Sequence, residues 1–225
     1  MIIGLCGFIN AGKGSVADLL VQQHGYLKES FASSPKDAVS AIFGWDRSLL
    51  EGDTHESRVW RETQDVFWSK KFNKPFSPRL ALQLMGTEAG RDVFHKDLWV
   101  HTVERRCDPS KNYVIADVRF PNEIEAIQNM GGIIVRVRRG DDPHWFSDAL
   151  TTNLNEKAGN SLDLMRLHNP EIHYSEWAWI GCNNNVTITN DSSLEELVII
   201  VDKLAKMVYN NVHVEANEDI DYETF

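Results

Sequence analysis

The sequence predicts an α/β fold in three layers, a mostly parallel sheet between helices. Three observations predict it. Four short β-rich runs, IIGLC (2 to 6), YVIADV (113 to 118), GIIVRV (132 to 137) and VTIT (186 to 189), are spread along the chain. Most are nearly continuous apolar stretches, as central strands covered on both faces require. Helical patterns alternate with them, which implies parallel pairing through right-handed crossovers. A glycine loop, GFINAGKGS (7 to 15), joins the first strand to the first helix.

The elements follow in order. The run 2 to 6 reads as a buried strand and not as a leader, because no basic patch precedes it and Gly7 and Lys13 soon interrupt it. A helix is expected over 15 to 23. Residues 35 to 106 read as mostly helical, with Ser77-Pro78 opening one helix and Asp97 another. The helix over 122 to 130 carries Ile124 and Ile127 on one face and stops at Gly131-Gly132. Residues 139 to 182 read as irregular and are rich in Trp, His and Asn. The last helix, 192 to 208, has Leu194, Leu197, Val198, Val201, Leu204 and Val208 at helical spacing, with Ser192 and Glu195 placed for a capping box. One domain is expected over 1 to 211, interrupted by a helical insertion (35 to 106) and a lid-like insertion (139 to 182). An acidic flexible tail is expected over 212 to 225.

Composition narrows the function classes. The chain has 225 residues, 42% hydrophobic and 25% charged, as ordinary globular proteins do. No apolar run approaches the ~18 residues that a membrane span needs. Three widely spaced cysteines, Cys6, Cys107 and Cys182, argue against a disulfide framework and fit a reducing cytoplasm, the host's if the chain is viral. The eight histidines show no paired spacing with Cys, so no zinc site is expected. Net charge is -10, and half of it lies in the tail, which has five acidic residues and no Lys or Arg. That balance argues against wrapping nucleic acid. It leaves room for small anionic substrates.

The glycine loop is the strongest local signal. The usual phosphate loop is G-x-x-x-x-G-K-[ST]; here Gly14 follows the lysine and the hydroxyl comes one residue later, at Ser15. Gly7 allows the sharp exit from the strand, and Gly12 allows close backbone approach to phosphates. The stretch Asn10, Ala11, Gly12, Lys13, Gly14, Ser15 is therefore the expected ATP-binding loop. Its amides point at the anion from a helix N-terminus. Lys13 can reach the β- and γ-phosphates, and Ser15 offers a hydroxyl to Mg²⁺. The bland alternative, a connecting turn, does not account for lysine, hydroxyl and placement together.

The pattern G-K-G-[ST] resembles that of nucleoside monophosphate kinases. Three further islands extend the resemblance: SPRLALQLMGTEAGRDVFHKDLWV (77 to 100), VIADVRFPNEIEAI (114 to 127) and VTITNDSSLEEL (186 to 197). With the loop they closely resemble the deoxynucleoside monophosphate kinase family of tailed bacteriophages, in order, over about residues 1 to 208. The resemblance implies a P-loop kinase sandwich that moves the γ-phosphoryl of ATP to a deoxynucleoside 5′-monophosphate for DNA precursor synthesis, with Mg²⁺. The chain departs from the family at Asn10-Ala11, where at least one relative carries basic residues, so no catalytic arginine is expected within the loop. A P-loop kinase of another small acceptor, such as dephospho-coenzyme A, would share fold and loop. The island 77 to 92 and the large insertion favour the nucleotide acceptor. A regulatory module that binds ATP without an acceptor is disfavoured by the arginines placed away from the loop.

Individual residues then acquire expected roles. Asp117 ends an apolar run at the carboxyl end of a strand, where ligands bind in open α/β sheets; it can hold Mg²⁺ or the substrate. Arg119 suits a bidentate phosphate clamp, or else pairs with Glu123 or Glu125 on the surface. Glu123 either contacts the base or sugar or is a solvated helix charge. Arg79, in a first helical turn, can bind the acceptor phosphate. Gly86-Thr87 can interrupt its helix and meet the nucleotide. Trp99 either stacks on a base or packs with Leu98, Val100 and Val103. The resemblance assigns Lys36, in Lys36-Asp37-Ala38, to the α-phosphate. Arg136, Arg138 and Arg139 are candidate lid arginines, Arg138 foremost as a catalytic group beside Lys13 and Arg119. His173 and Glu176 match a short family motif, HYSE, read as lid or structural. Asn190 and Asp191 are expected beside the adenine. Expected partners are ATP and deoxynucleoside monophosphates, with a homodimer left open and neither stable nucleic-acid binding nor a membrane.

Overall fold

A computed structural model describes residues 1 to 218. It divides into two compact units, Met1–Lys28 with the chain from Asp108 onward, and Glu29–Cys107.

The first unit holds the sheet. Its strands are β1 (Ile2–Cys6), β2 (Leu27–Glu29), β3 (Tyr113–Ile115), β4 (Ile133–Arg138) and β5 (Val186–Thr189). They lie in the order β2-β3-β1-β4-β5. The registers Ile3 to Val114, Leu5 to Val135 and Val137 to Ile188 are parallel. β1 sits at the centre with all five residues buried, which is why its sequence is an unbroken apolar run. Side chains alternate across the sheet. Ile3 and Leu5 join one core with Val16, Ala17 and Leu20 of helix α1 (Lys13–His24) and Leu197, Val201, Leu204 and Val208 of helix α10 (Leu194–Glu218). Each of the Val, Leu and Ile side chains contributes about 1.5–3 kcal/mol on burial. Gly4 faces the other way. A Cβ there would crowd Ile127, Ile134 and Val118, so the glycine lets helix α7 (Pro121–Asn129) seat closely on that face. These are the three layers of the expected P-loop kinase sandwich.

Several boundaries differ from expectation. β2 was not predicted: LKE has no apolar run and is mostly exposed, and its edge position rests on backbone pairing such as Leu27 N–H to the Asn112 carbonyl (2.8 Å). The cap of α10 is Ser193 and not Ser192, its Oγ accepting the Glu196 amide at 3.4 Å. That helix continues through 212 to 218, the first part of the expected tail; the rest, 219 to 225, lies outside the described residues. Residues 139 to 182 are not irregular throughout. They form α8 (Phe146–Lys157), α9 (Leu164–His168) and a short 3₁₀ turn, Tyr174–Glu176. The polar residues that obscured α8 have structural partners. Asn153, buried, donates from Nδ2 to the Trp177 and Ile180 carbonyls (3.1 and 2.8 Å), and Thr152 Oγ1 accepts the Leu164 amide (3.0 Å).

The second unit is helical: α2 (Ser33–Phe43), α3 (His55–Glu62), α4 (Val66–Phe72), α5 (Pro78–Leu84), a π-helical stretch Met85–Phe94 and α6 (Leu98–Arg106). Its core is Val39, Trp45, Leu50, Phe76 and Ala81, with Phe43 stacked on Trp45 at 4.7 Å. The Trp45 indole N–H is satisfied by Asp65 Oδ2 at 2.8 Å. Ser77 caps α5 through the Leu80 amide and Pro78 takes the first helical position. Gly86-Thr87 does not break the helix; the chain widens there into the π-helical stretch. Trp99 belongs to the core of this unit and not to a stacking surface: it is buried, and its Nε1 donates to the Gly86 carbonyl at 2.8 Å. A Cβ at Gly90 would overlap its ring. Among the described residues no helix is long and apolar enough to cross a membrane.

Candidate active site

The loop leaves β1 through Gly7 at φ 135°, a conformation that a side chain resists. A Cβ at Gly7 would also overlap the Val137 carbonyl oxygen on β4. Asn10 (φ 64°) and Gly12 (φ 98°) complete the turn, with the Ala11 amide bonded back to the Phe8 carbonyl (3.2 Å). The Ala11 side chain is buried, so it anchors the loop and does not face a ligand. Phe8 lies edge-on to Trp145 (5.4 Å) and Trp179 (5.1 Å), which ties the loop to the segment 139 to 182. Helix α1 then starts with Gly12 as its cap and no side-chain cap. The first-turn amides, with exposed Gly14 and Ser15, are available to an anion.

Lys13 curls over this loop. Its Nζ donates to the carbonyls of Gly7 and Phe8, both at 2.8 Å. Its pKa is lowered to about 8: burial lowers it most and the positive charge of Arg119 adds to this, while Cys6, Glu176 and Asp117 pull the other way. Only the protonated amine attracts phosphate. ATP therefore has to bind the protonated form, and its own charge raises the pKa. We expect ATP binding near pH 8 to take up part of a proton, and affinity to fall up to about tenfold per pH unit above 8. Calorimetry in buffers of different ionisation enthalpy measures this uptake, which should vanish in Lys13→Ala.

Asn190, expected beside the adenine, braces the loop from below. Its Nδ2 donates to the Ala11 carbonyl at 3.0 Å, and a Cβ on Gly12 would overlap it. Asp191 Oδ1 accepts the Gly140 amide at 2.6 Å, fastening the end of β5 to the turn after β4.

Asp117 lies two residues past β3, partly buried. Glu123 is neither a substrate contact nor a solvated charge. It is 2% exposed, and its Oε2 accepts the amides of Arg119 (2.8 Å) and Phe120 (3.1 Å). It caps α7 and fixes the backbone from which Arg119 projects. Proline at the first helical position followed by glutamate at the third, as in Pro121-Asn122-Glu123, was the signal for this. Glu123→Ala strips two amides of their acceptor and should cost about 2–3 kcal/mol, lowering Tm by roughly 4–12 °C. Glu123→Gln keeps an oxygen in place and should recover most of the loss in a thermal melt.

The Arg119 guanidinium pairs outside its own turn. It donates to Glu176 Oε1 at 3.1 Å, across 57 residues of sequence. Arg136, a candidate lid arginine, pairs with Asp142 and lies over the rings of Phe146 (5.0 Å) and Trp179 (5.3 Å). Arg138, on the same strand, is more exposed; its Nε donates to the Gly140 carbonyl at 3.0 Å and it lies 3.6 Å from Asp141. Arg139 is exposed.

Within the helical unit, Lys36 pairs with Glu51 at 2.6 Å and is largely covered. Arg79 is exposed, 3.9 Å from Glu62, and Thr87 is exposed on the π-helical stretch. The Gly86 carbonyl is taken by Trp99. His95, Asp97 and His101 place ligand atoms within 4.8 Å of one another, a grouping that a search for Cys-His spacing could not find. The His95 Nδ1 there already accepts the Asp97 amide at 3.1 Å.

Known proteins resemble this chain in sequence. The model of the deoxynucleotide monophosphate kinase family matches residues 48–160, half of the chain. A protein of Acanthamoeba polyphaga mimivirus named for the same activity is 27% identical over 207 residues, 84% of this chain and 100% of its own length. The deoxynucleoside-5′-monophosphate kinase of Escherichia phage T5 is 41% identical over 68 residues, 27% of each chain. Among solved structures, shikimate kinase from Aquifex aeolicus has a TM-score of 0.42 at 12% identity, covering 94% of this chain and 99% of that one. On the family match and the full-length relative together, the chain belongs to the deoxynucleotide monophosphate kinase family.

Proposed function

We propose that the chain transfers the γ-phosphoryl of ATP to a deoxynucleoside 5′-monophosphate, giving the diphosphate and ADP. The observation that carries this is Lys13 at the open N-terminus of α1, within the electrostatic reach of Asp117, Arg119 and Glu176. A bare nucleotide-binding loop has no use for a second cation there.

Phosphoryl transfer needs positioning and charge neutralisation more than covalent chemistry. In this reading Lys13 leaves the Gly7 and Phe8 carbonyls and, with the amides of Gly12 to Ser15, holds the ATP phosphates. Arg119 grips the acceptor phosphate. No general base is needed, since the acceptor oxygen is already ionised at neutral pH. Arg138 spreads charge in the transition state. The Ser15 hydroxyl and the Asp117 carboxylate are hard oxygen donors of the kind that holds Mg²⁺, and the ion would supply neutralisation of the phosphate charge. A cytoplasm, the host's if the chain is viral, would supply ATP, Mg²⁺ and monophosphates together.

The test is ADP release from MgATP with dGMP, dTMP, dCMP, dAMP, their ribose counterparts and dephospho-coenzyme A. Fast turnover on at least one deoxy monophosphate is expected. Turnover on dephospho-coenzyme A alone would overturn the acceptor assignment while keeping the fold.

A further inference from the structure

The structure places an anion of the chain itself on the arginine that the proposed reaction needs. Glu176 Oε1 accepts from Arg119 Nη1 at 3.1 Å, with the two side chains 28% and 45% exposed. The same carboxylate and the same guanidinium both act on Lys13, one raising and one lowering its pKa. Two cations and one carboxylate thus share a small region at the mouth of the loop.

The turn that carries Glu176 is heavily braced. His173 Nδ1 accepts the Ser175 amide at 3.2 Å, and the Glu176 amide donates to the His173 carbonyl at 3.0 Å. The Glu176 carbonyl accepts from Trp179 Nε1 at 3.0 Å, and Trp177 Nε1 donates to the Ile172 carbonyl at 3.3 Å. Trp179 in turn packs on Phe8 of the loop. The HYSE stretch is therefore a rigid mount for one carboxylate. A charge needed only for solubility would not need such support.

We propose that Glu176 is a positioning residue that occupies the phosphate clamp of Arg119 and is displaced by the incoming acceptor phosphate. The inference rests on the proposed function for the identity of that acceptor. Without any side-chain oxygen at 176, Arg119 and Lys13 would repel each other and Arg119 would swing toward solvent; glutamine keeps an oxygen for the guanidinium and removes only the competing charge. With Glu176 in place the guanidinium is held near its working position, and a dianionic phosphate outcompetes the single carboxylate. The cost is that every acceptor has to displace an ion pair.

The test titrates inorganic phosphate and pyrophosphate into the full chain at constant ionic strength, followed by tryptophan fluorescence and ³¹P NMR. Glu176→Gln should bind inorganic phosphate roughly 2–5-fold more tightly, the worth of a partly exposed ion pair. The gain should disappear in an Arg119→Gln background. Glu176→Asp keeps the charge with a shorter reach and should fall between. In turnover, Glu176→Gln should lower the KM for the monophosphate without raising kcat. A purely structural role predicts the opposite: lower Tm and weaker phosphate binding. Unchanged or weaker phosphate binding in Glu176→Gln, at an unchanged Tm, overturns the proposal. If no monophosphate is phosphorylated, the functional reading fails, and the phosphate titrations still decide the role of Glu176. If Glu176→Gln loses Tm, Glu176→Asp decides: binding tighter than wild type supports the proposal, and no gain overturns it.

Discussion

Lys13→Ala should lower turnover by ~10²–10⁴-fold while leaving the fold intact. The effect of the substitution has two halves. The ammonium holds the Gly7 and Phe8 carbonyls of its own loop, and burial, with the charge of Arg119, already disfavours its charge and lowers its pKa to about 8. Removing it strips two hydrogen bonds but also removes a partly desolvated cation, so the net change in stability should stay within about 1 kcal/mol. In the reacting complex the same ammonium faces the phosphates of ATP, where a charge-assisted contact acts on developing negative charge. Its loss raises the barrier by about 3–5 kcal/mol. Steady-state kinetics beside a thermal melt separates the halves. Near-normal turnover would remove Lys13 from the reaction.

Gly7→Ala should do the reverse and fail through structure. At φ 135° a side chain is strained by about 1–3 kcal/mol, and its Cβ would overlap the Val137 carbonyl of the neighbouring strand. Backbone cannot step aside as a flexible side chain can. The expected cost is about 3 kcal/mol or more, a fall in Tm of roughly 6–12 °C. ATP binding should go with it, because the loop leaves the sheet at this residue. Gly14→Ala is the matched comparison. Gly14 has helical geometry and nothing within 4 Å of a Cβ, so Tm should change by less than about 1 °C. Any loss of ATP affinity in Gly14→Ala then reports the space that the nucleotide needs, since the fold does not require that glycine. Equal destabilisation of the two variants would contradict this.

The same contrast explains what the sequence could reveal. The central strands were legible because burial on both faces leaves unbroken apolar runs, and the loop was legible because phosphate binding demands fixed spacing. β2 was not, since backbone pairing holds an edge strand whose side chains face water. Helix α8 was hidden by Asn153 and Thr152, polar residues buried to satisfy backbone groups of distant segments. Local signals did exist for Glu123, in the proline two positions before it, and the attraction of a carboxylate near the loop drew the wrong role. The Trp99 alternatives could not be separated in sequence, because an indole that stacks on a base and one that packs under Gly90 have the same apolar neighbours. No local signal joins Arg119 to Glu176; only the fold brings them together.

The central claim is that the γ-phosphoryl group passes directly from ATP to a deoxynucleoside monophosphate at the Lys13 loop. The most direct test supplies ATP labelled at the γ-phosphate, Mg²⁺ and a deoxynucleoside monophosphate, and follows the label by chromatography. The account predicts label in the β-position of the deoxynucleoside diphosphate, with little free phosphate, and its disappearance in Lys13→Ala. Label that appears only as inorganic phosphate, at the same rate with or without acceptor, would contradict it.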